Sequence, residues 1–111
     1  MDEPVSRFVW SDAWLLLAIL YARGPANRAK IKEIGDFINH AIFTDEELEG
    51  GLERLKRTGH VIEADGRFQP SPAVSSWYEN VSPKRSYVYK DLERVEGFLS
   101  VTPAETEHRA E

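Results

Sequence analysis

The stretch from Thr44 to Gln69 constrains the fold more than any other part of the chain, because it combines one capped helix with one tight hairpin. Thr44 and Glu47 have the spacing of a capping box, in which each side chain accepts a hydrogen bond from the backbone amide of the other residue. Leucines then recur at helical spacing. The predicted helix has an apolar face formed by Leu48, Leu52 and Leu55.

The residues after this helix have the pattern of a two-stranded hairpin. Gly59 can adopt the left-handed conformation that ends a helix. His60–Ala64 then faces Arg67–Gln69 across Asp65-Gly66, a dipeptide suited to a type I′ turn. The sequence therefore predicts a helix that leads directly into a β-hairpin.

Two more helical patterns precede this unit. Ser11 stands before an apolar run, Ala13–Ala22, that ends at a Gly-Pro stop signal. Asn27 is a candidate cap for a second helix, whose isoleucines are three or four residues apart and form an amphipathic stripe. That predicted stripe consists of Ile31, Ile34, Ile38 and Ile42.

The order helix, helix, helix, hairpin, with EGGLERLKRTGHV joining the third helix to a strand, resembles the winged helix-turn-helix domains of MarR-type and PadR-type bacterial regulators. The resemblance implies an α+β, mostly helical fold, a winged helix with a three-helix core and a β-hairpin wing, over residues 1–80. It also implies a DNA-binding transcriptional regulator whose third helix enters the major groove while the wing lies beside the backbone. A likeness at superfamily level specifies the fold and leaves the ligand open.

Beyond the hairpin, Pro72–Asn80 is expected to form a short helix, and Ser82-Pro83 is a candidate cap and first-turn pair for an additional C-terminal helix within residues 81–101. An apolar stripe on that last helix predicts one of two arrangements, a homodimer interface or packing against the first helix of the same chain. Residues 102–111 are predicted to be a disordered tail. The candidate dimer residues are Val88, Leu92, Val95 and Leu99.

Composition and motifs exclude several classes of function. With 111 residues, 41% of them hydrophobic, the chain fits a single domain with one modest core. The absence of cysteine and of a secretory or membrane-spanning pattern favours a cytoplasmic location without membrane association. The three histidines lack ligand spacing, and neither a phosphate loop nor a nucleophile elbow occurs, so the sequence predicts neither an enzyme, nor a metal site, nor a cofactor.

The charged residues support two different functional hypotheses. Basic residues near the second helix, the end of the third helix and the hairpin could position DNA phosphates without reading bases. The superfamily's common use favours this first hypothesis, in which duplex DNA is the partner and the protein is a homodimer. The candidate phosphate contacts are Arg23, Arg28, Lys30, Lys32, Lys56, Arg57 and Arg67.

The alternative hypothesis is a protein-interaction module that does not bind DNA. Carboxylates concentrate on the third helix, where they would repel phosphates and attract a basic protein. Acidic residues also stabilise the first turn of a helix, and basic residues of the second helix could pair with them internally. The candidate partner-binding residues are Asp45, Glu46, Glu49 and Glu53.

Overall fold

The computed structural model describes residues 8–100, which form five α-helices and one two-stranded antiparallel β-sheet. The fold is therefore α+β and mostly helical, as the sequence predicts. The predicted tail, residues 102–111, lies outside the described residues. The elements in chain order are α1 (Trp10–Ala22), α2 (Arg28–Asn39), α3 (Asp45–Arg57), β1 (Val61–Ala64), β2 (Arg67–Pro70), α4 (Pro72–Val81) and α5 (Val88–Leu99).

The first helix, α1, is the centre of the hydrophobic core. Every residue from Ser11 to Leu20 is buried, because α2, α3, α5 and β2 pack around this helix. The buried indole of Trp14 donates a hydrogen bond from Nε1 to the carbonyl oxygen of Gly35 at 2.9 Å. This bond satisfies the polar group of a large ring that would otherwise be costly to bury.

An ion pair joins α3 to the beginning of α1. Asp12 is fully buried and accepts hydrogen bonds from Nε and Nη2 of Arg54 at 2.8 and 2.9 Å. The same carboxylate accepts a hydrogen bond from the backbone amide of Val9 at 3.0 Å, so it caps α1. The helix consequently begins at Trp10, so Ser11, which was predicted to precede the helix, lies in its first turn.

The second helix, α2, is shorter than its isoleucine spacing predicts. Asn27 caps its first turn as predicted, with Oδ1 accepting a backbone hydrogen bond of 2.9 Å. The helix stops where His40 adopts a left-handed conformation with φ of 55°. Ile42 lies beyond the end of the helix and is 68% exposed, so its predicted place in the apolar stripe of α2 was wrong.

The two strands form the predicted tight hairpin. They pair antiparallel, with Ala64 opposite Arg67 on either side of the turn. Asp65 and Gly66 have φ values of 54° and 75°. Positive φ at both central residues is what a type I′ turn requires, so this prediction is confirmed.

The hairpin is also attached to the segment between α1 and α2. Ala26 donates a backbone hydrogen bond to Phe68 at 2.9 Å and accepts one from it at 2.8 Å. The side chain of Phe68 is fully buried. The hairpin therefore has two anchors, its direct connection to α3 and this backbone bridge.

The connection between α4 and α5 differs from the prediction. Ser71 caps α4, and Ser82 ends it by donating its backbone amide to the carbonyl oxygen of Tyr78 at 2.9 Å. Residue 82 therefore does not begin the next helix, which starts at Val88. The prediction that Ser82-Pro83 begins the last helix was therefore wrong, because Ser82 ends α4 and α5 begins six residues later.

The last helix packs against α1 of its own chain. Val95 and Leu99 are buried in the same hydrophobic cluster as the side chains of α1. Packing against α1, one of the two arrangements that the sequence predicts for this helix, is therefore the arrangement in the structure. None of the helices between residues 8 and 100 has the length and hydropathy that crossing a bilayer requires.

Candidate functional site on the third helix

The predicted capping box of α3 is present and fixes the start of the helix, while its leucines determine which face is buried. Oγ1 of Thr44 accepts a hydrogen bond from the backbone amide of Glu47 at 3.0 Å, and the reciprocal bond measures 2.9 Å. The three leucines of α3 point into the core and are buried. The opposite face carries the predicted partner-binding residues, all of them exposed: Asp45, Glu46, Glu49 and Glu53.

Two of these four carboxylates are paired within the chain. Arg28 donates hydrogen bonds from Nε and Nη2 to the carboxylate of Glu49, at 2.7 and 3.0 Å. Glu53 lies 3.6 Å from Arg57, the pairing that residues four apart on a helix favour. Within residues 8–100, Asp45 and Glu46 have no ion-pair partner.

The charges at this site persist at neutral pH. The hydrogen bond from Arg28 lowers the pKa of Glu49, against the opposing effect of burial, and Lys32 and Lys56 lower it further. A hydrogen bond of 2.7 Å to Glu63 raises the pKa of Lys56. Arg28 and Glu49 therefore hold each other in their charged forms, and Glu63 holds Lys56 in its charged form.

The fold splits the predicted set of phosphate-binding residues. Arg23 and Lys30 line a groove of about 1040 Å³ beside the ends of α1 and α4, and Lys30 lies 3.7 Å from Glu33. Arg28 is directed instead toward the hairpin, with its guanidinium carbon 5.1 Å from the centre of the Phe68 ring. The seven cations therefore do not act as one surface.

Carboxylates outnumber cations around α3 and the hairpin. The lysines and arginines between residues 45 and 70 are Arg54, Lys56, Arg57 and Arg67. The carboxylates in the same range are Asp45, Glu46, Glu47, Glu49, Glu53, Glu63 and Asp65. Since the general part of DNA affinity comes from neutralising phosphates, this balance disfavours a duplex.

The predicted dimer stripe on α5 divides into two halves. Val95 and Leu99 are buried in the core of their own chain and cannot line an interface. Val88 and Leu92 are half-buried and line a surface groove. The prediction of a four-residue interface is corrected accordingly, because packing against α1 already occupies the inner half of the stripe.

Sequence reasoning missed the polar cluster around Asp91. This carboxylate is nearly completely buried and gathers donors from α1, α4, α5 and the loop between the last two helices. Its position three residues after Val88 and four before Val95, on an otherwise apolar face, is the signal that could have revealed it. The donors are Tyr21 (2.6 Å), Tyr78 (2.9 Å), Ser82 (3.4 Å), Ser86 (2.9 Å) and Arg94 (2.9 Å).

These hydrogen bonds set the ionisation of the cluster. Burial alone would raise the pKa of Asp91, but the donors, led by Tyr21, outweigh it and lower that pKa. Burial, together with the neighbouring carboxylate, raises the pKa of the Tyr21 hydroxyl. The cluster therefore contains an ionised carboxylate with neutral phenols. Because both oxygens of Asp91 already accept hydrogen bonds from several elements, the cluster stabilises the packing of the helices.

Within residues 8–100, no group of three or more histidine, cysteine, aspartate or glutamate side chains is placed to hold a metal ion. Comparison of the chain with family models, with curated proteins and with solved structures finds no match. The geometry and charge of the molecule are therefore the basis for inferring its function.

Proposed function

We propose that the chain is a winged-helix protein-interaction module that binds a basic protein through the exposed carboxylates of α3, without catalysing a reaction. The element order and the bridge between Ala26 and Phe68 support the winged-helix interpretation. That bridge adds the segment between α1 and α2 to the edge of the hairpin, as expected for a small wing sheet.

The observation that carries the proposal is the charge on the outer face of α3. Asp45 and Glu46 project from the first turn without an ion-pair partner within residues 8–100, while Glu49 engages Arg28. A recognition helix would bring these same groups against two rows of phosphates. A basic protein would instead find complementary charge, which accelerates association and restricts the choice of partner.

The DNA-binding alternative would require the ion pairs around α3 to open. Arg28 and Lys56, two of its central phosphate-binding candidates, are each held at 2.7 Å by a glutamate. Releasing either cation to a phosphate would leave that glutamate unpaired beside the same phosphate. This competition is the reason for preferring a protein partner.

The test measures anisotropy of a fluorescein-labelled lysine nonapeptide titrated at low salt with the wild type and with Asp45→Asn/Glu46→Gln. Exposed ion pairs contribute about 0.2 to 1 kcal/mol each, so the loss of two should weaken binding by the double variant about two- to thirtyfold. The matched control Asp36→Asn/Glu79→Gln removes the same charge from exposed positions on α2 and α4. Equal weakening in both variants, or no weakening in the first, would contradict the proposal.

A further inference from the structure

A groove of about 570 Å³ lies where α1, the end of α2 and the start of α5 meet. We call it the aromatic groove, and its defining residues are Trp10, Ile38, Tyr87, Tyr89, Leu92 and Glu93. Tyr87 and Tyr89 are 71% and 58% exposed. Large aromatic side chains gain free energy on burial, so their joint exposure marks a binding surface.

The two tyrosines of the aromatic groove contact each other. Their rings stack with centres 5.8 Å apart and planes inclined by 23°. The backbone at Tyr87 belongs to the start of α5, because its carbonyl oxygen accepts hydrogen bonds from the amides of Lys90 and Asp91 at 3.0 and 3.1 Å. Tyrosines present a large contact area at a low cost in conformational entropy.

Trp10 is oriented by a hydrogen bond as well. Its Nε1 donates to a carboxylate oxygen of Glu96 at 2.8 Å. Both Trp10 and Glu96 line the aromatic groove. The hydrogen bond orients the indole, and Trp10 is the third aromatic residue that lines the aromatic groove.

Charge identifies the chemistry that fits this space. Among residues 8–100, the charged residues lining the groove are carboxylates, and Glu93 is exposed without an ion-pair partner in that part of the chain. Nζ of Lys90 lies 5.7 Å from the centre of the Tyr89 ring, so a cation of the chain already contacts this ring and an incoming cation would use the ring of Tyr87. A planar guanidinium can both stack on an aromatic ring and bind a carboxylate through two hydrogen bonds, which an ammonium group cannot do.

We propose that the aromatic groove binds an arginine side chain from a basic segment of a partner protein, with the guanidinium stacked on Tyr87 and hydrogen-bonded to Glu93. The identity of the partner rests on the proposed function. Asn39, at one wall of the groove, is separated from the exposed Asp45 by only a short loop, at most roughly 22 Å of extended chain. One basic segment can therefore reach both sites.

The experiment compares labelled nonapeptides of arginine and of lysine, which carry the same charge, by anisotropy at equal salt. The wild type should prefer the arginine peptide, and Tyr87→Ala or Glu93→Gln should each reduce that preference about two- to fivefold, as expected for one exposed cation–π contact or charged hydrogen bond. Phe37→Ala is the aromatic control, since Phe37 is 64% exposed and lies outside the groove. Unchanged thermal unfolding of each variant establishes that it is folded.

The outcomes separate this inference from the proposed function. Loss of lysine-peptide binding in Asp45→Asn/Glu46→Gln tests the α3 face alone, whereas loss of the arginine preference in the groove variants tests the groove alone. A preference that survives both groove variants overturns the inference. So does sedimentation that shows a wild-type dimer converted to monomer by Tyr87→Ala, because a second copy of the chain would then occupy the groove.

Discussion

Replacing Asp91 with asparagine should destabilise the fold substantially, and the structure allows the cost to be worked out. The carboxylate accepts hydrogen bonds on both oxygens, with the hydroxyls of Tyr21 and Tyr78 on one oxygen and Ser86 with Arg94 on the other. An amide keeps one oxygen and turns an NH₂ group toward the remaining donors. At least one charged hydrogen bond is lost, worth about 1.5 to 3 kcal/mol, along with one neutral bond worth about 1 kcal/mol.

We therefore expect Asp91→Asn to lower the free energy of unfolding by about 2 to 4 kcal/mol at pH 7, measured by urea denaturation. The control Asp36→Asn changes an exposed aspartate on α2 and should stay within about 0.5 kcal/mol of the wild type. Because a domain of this size loses about 4 to 8 °C of melting temperature per kcal/mol, thermal unfolding gives a second measure.

The pH dependence checks the cause. The folded pKa of Asp91 is lowered below its unfolded value of about 3.9, so the carboxylate contributes stability above that unfolded pKa and loses it as the pH falls through the folded pKa. The difference between wild type and Asp91→Asn should be full at pH 7 and shrink below about pH 4. A difference under about 0.5 kcal/mol at pH 7, or one that persists unchanged in acid, would refute the reasoning.

Two further predictions concern the packing of α3 against α1. Leu52→Ala should cost about 2 to 5 kcal/mol in urea denaturation because Leu52 is buried in the core, and a cost below about 0.5 kcal/mol would mean that its burial contributes little. Gly51→Ala should cost about 1 to 3 kcal/mol, because the added Cβ would lie 2.6 Å from Leu15 and 2.9 Å from Asp12. Gly50→Ala, whose Cβ meets only Arg54 at 3.5 Å, should instead raise stability by up to about 1 kcal/mol through helix propensity, and the same sign for both variants would contradict the close approach.

Local signals in the sequence were sufficient for the caps of α2 and α3 and for the hairpin. The Thr44–Glu47 capping box and the Asp65-Gly66 turn each involve residues within a few positions of one another, so their chemistry is readable from spacing alone. The buried leucines of α3 follow from helical periodicity for the same reason.

Contacts between distant residues escaped prediction because no local pattern encodes them. The Asp91 cluster takes its donors from segments as far away as Tyr21. The packing of Val95 and Leu99 against α1 was one of two predicted arrangements, and periodicity alone could not choose between them. The predicted end of α2 was wrong for a different reason. A single residue in the left-handed conformation, His40, ends the helix although the apolar spacing continues to Ile42.

Only the fold shows which carboxylates of α3 are paired within the chain. Sequence alone left open whether Glu49 pairs with a basic residue of its own chain or of a partner. The bond from Arg28 resolves this for Glu49, and it leaves Asp45 and Glu46 as the outward-facing charges of the helix. Their role is the part of the proposal that still depends on measurement.

The most direct measurement compares two ligands of opposite charge under one condition. A labelled short DNA duplex and the labelled lysine nonapeptide are each titrated with the wild-type protein at the same low salt concentration, and anisotropy gives the two dissociation constants. If the exposed face of α3 serves a basic protein, the peptide binds more tightly than the duplex, and raising the salt weakens the peptide complex. Tighter binding of the duplex, with the steep salt dependence of phosphate contacts, would contradict the proposal and restore the DNA-binding alternative.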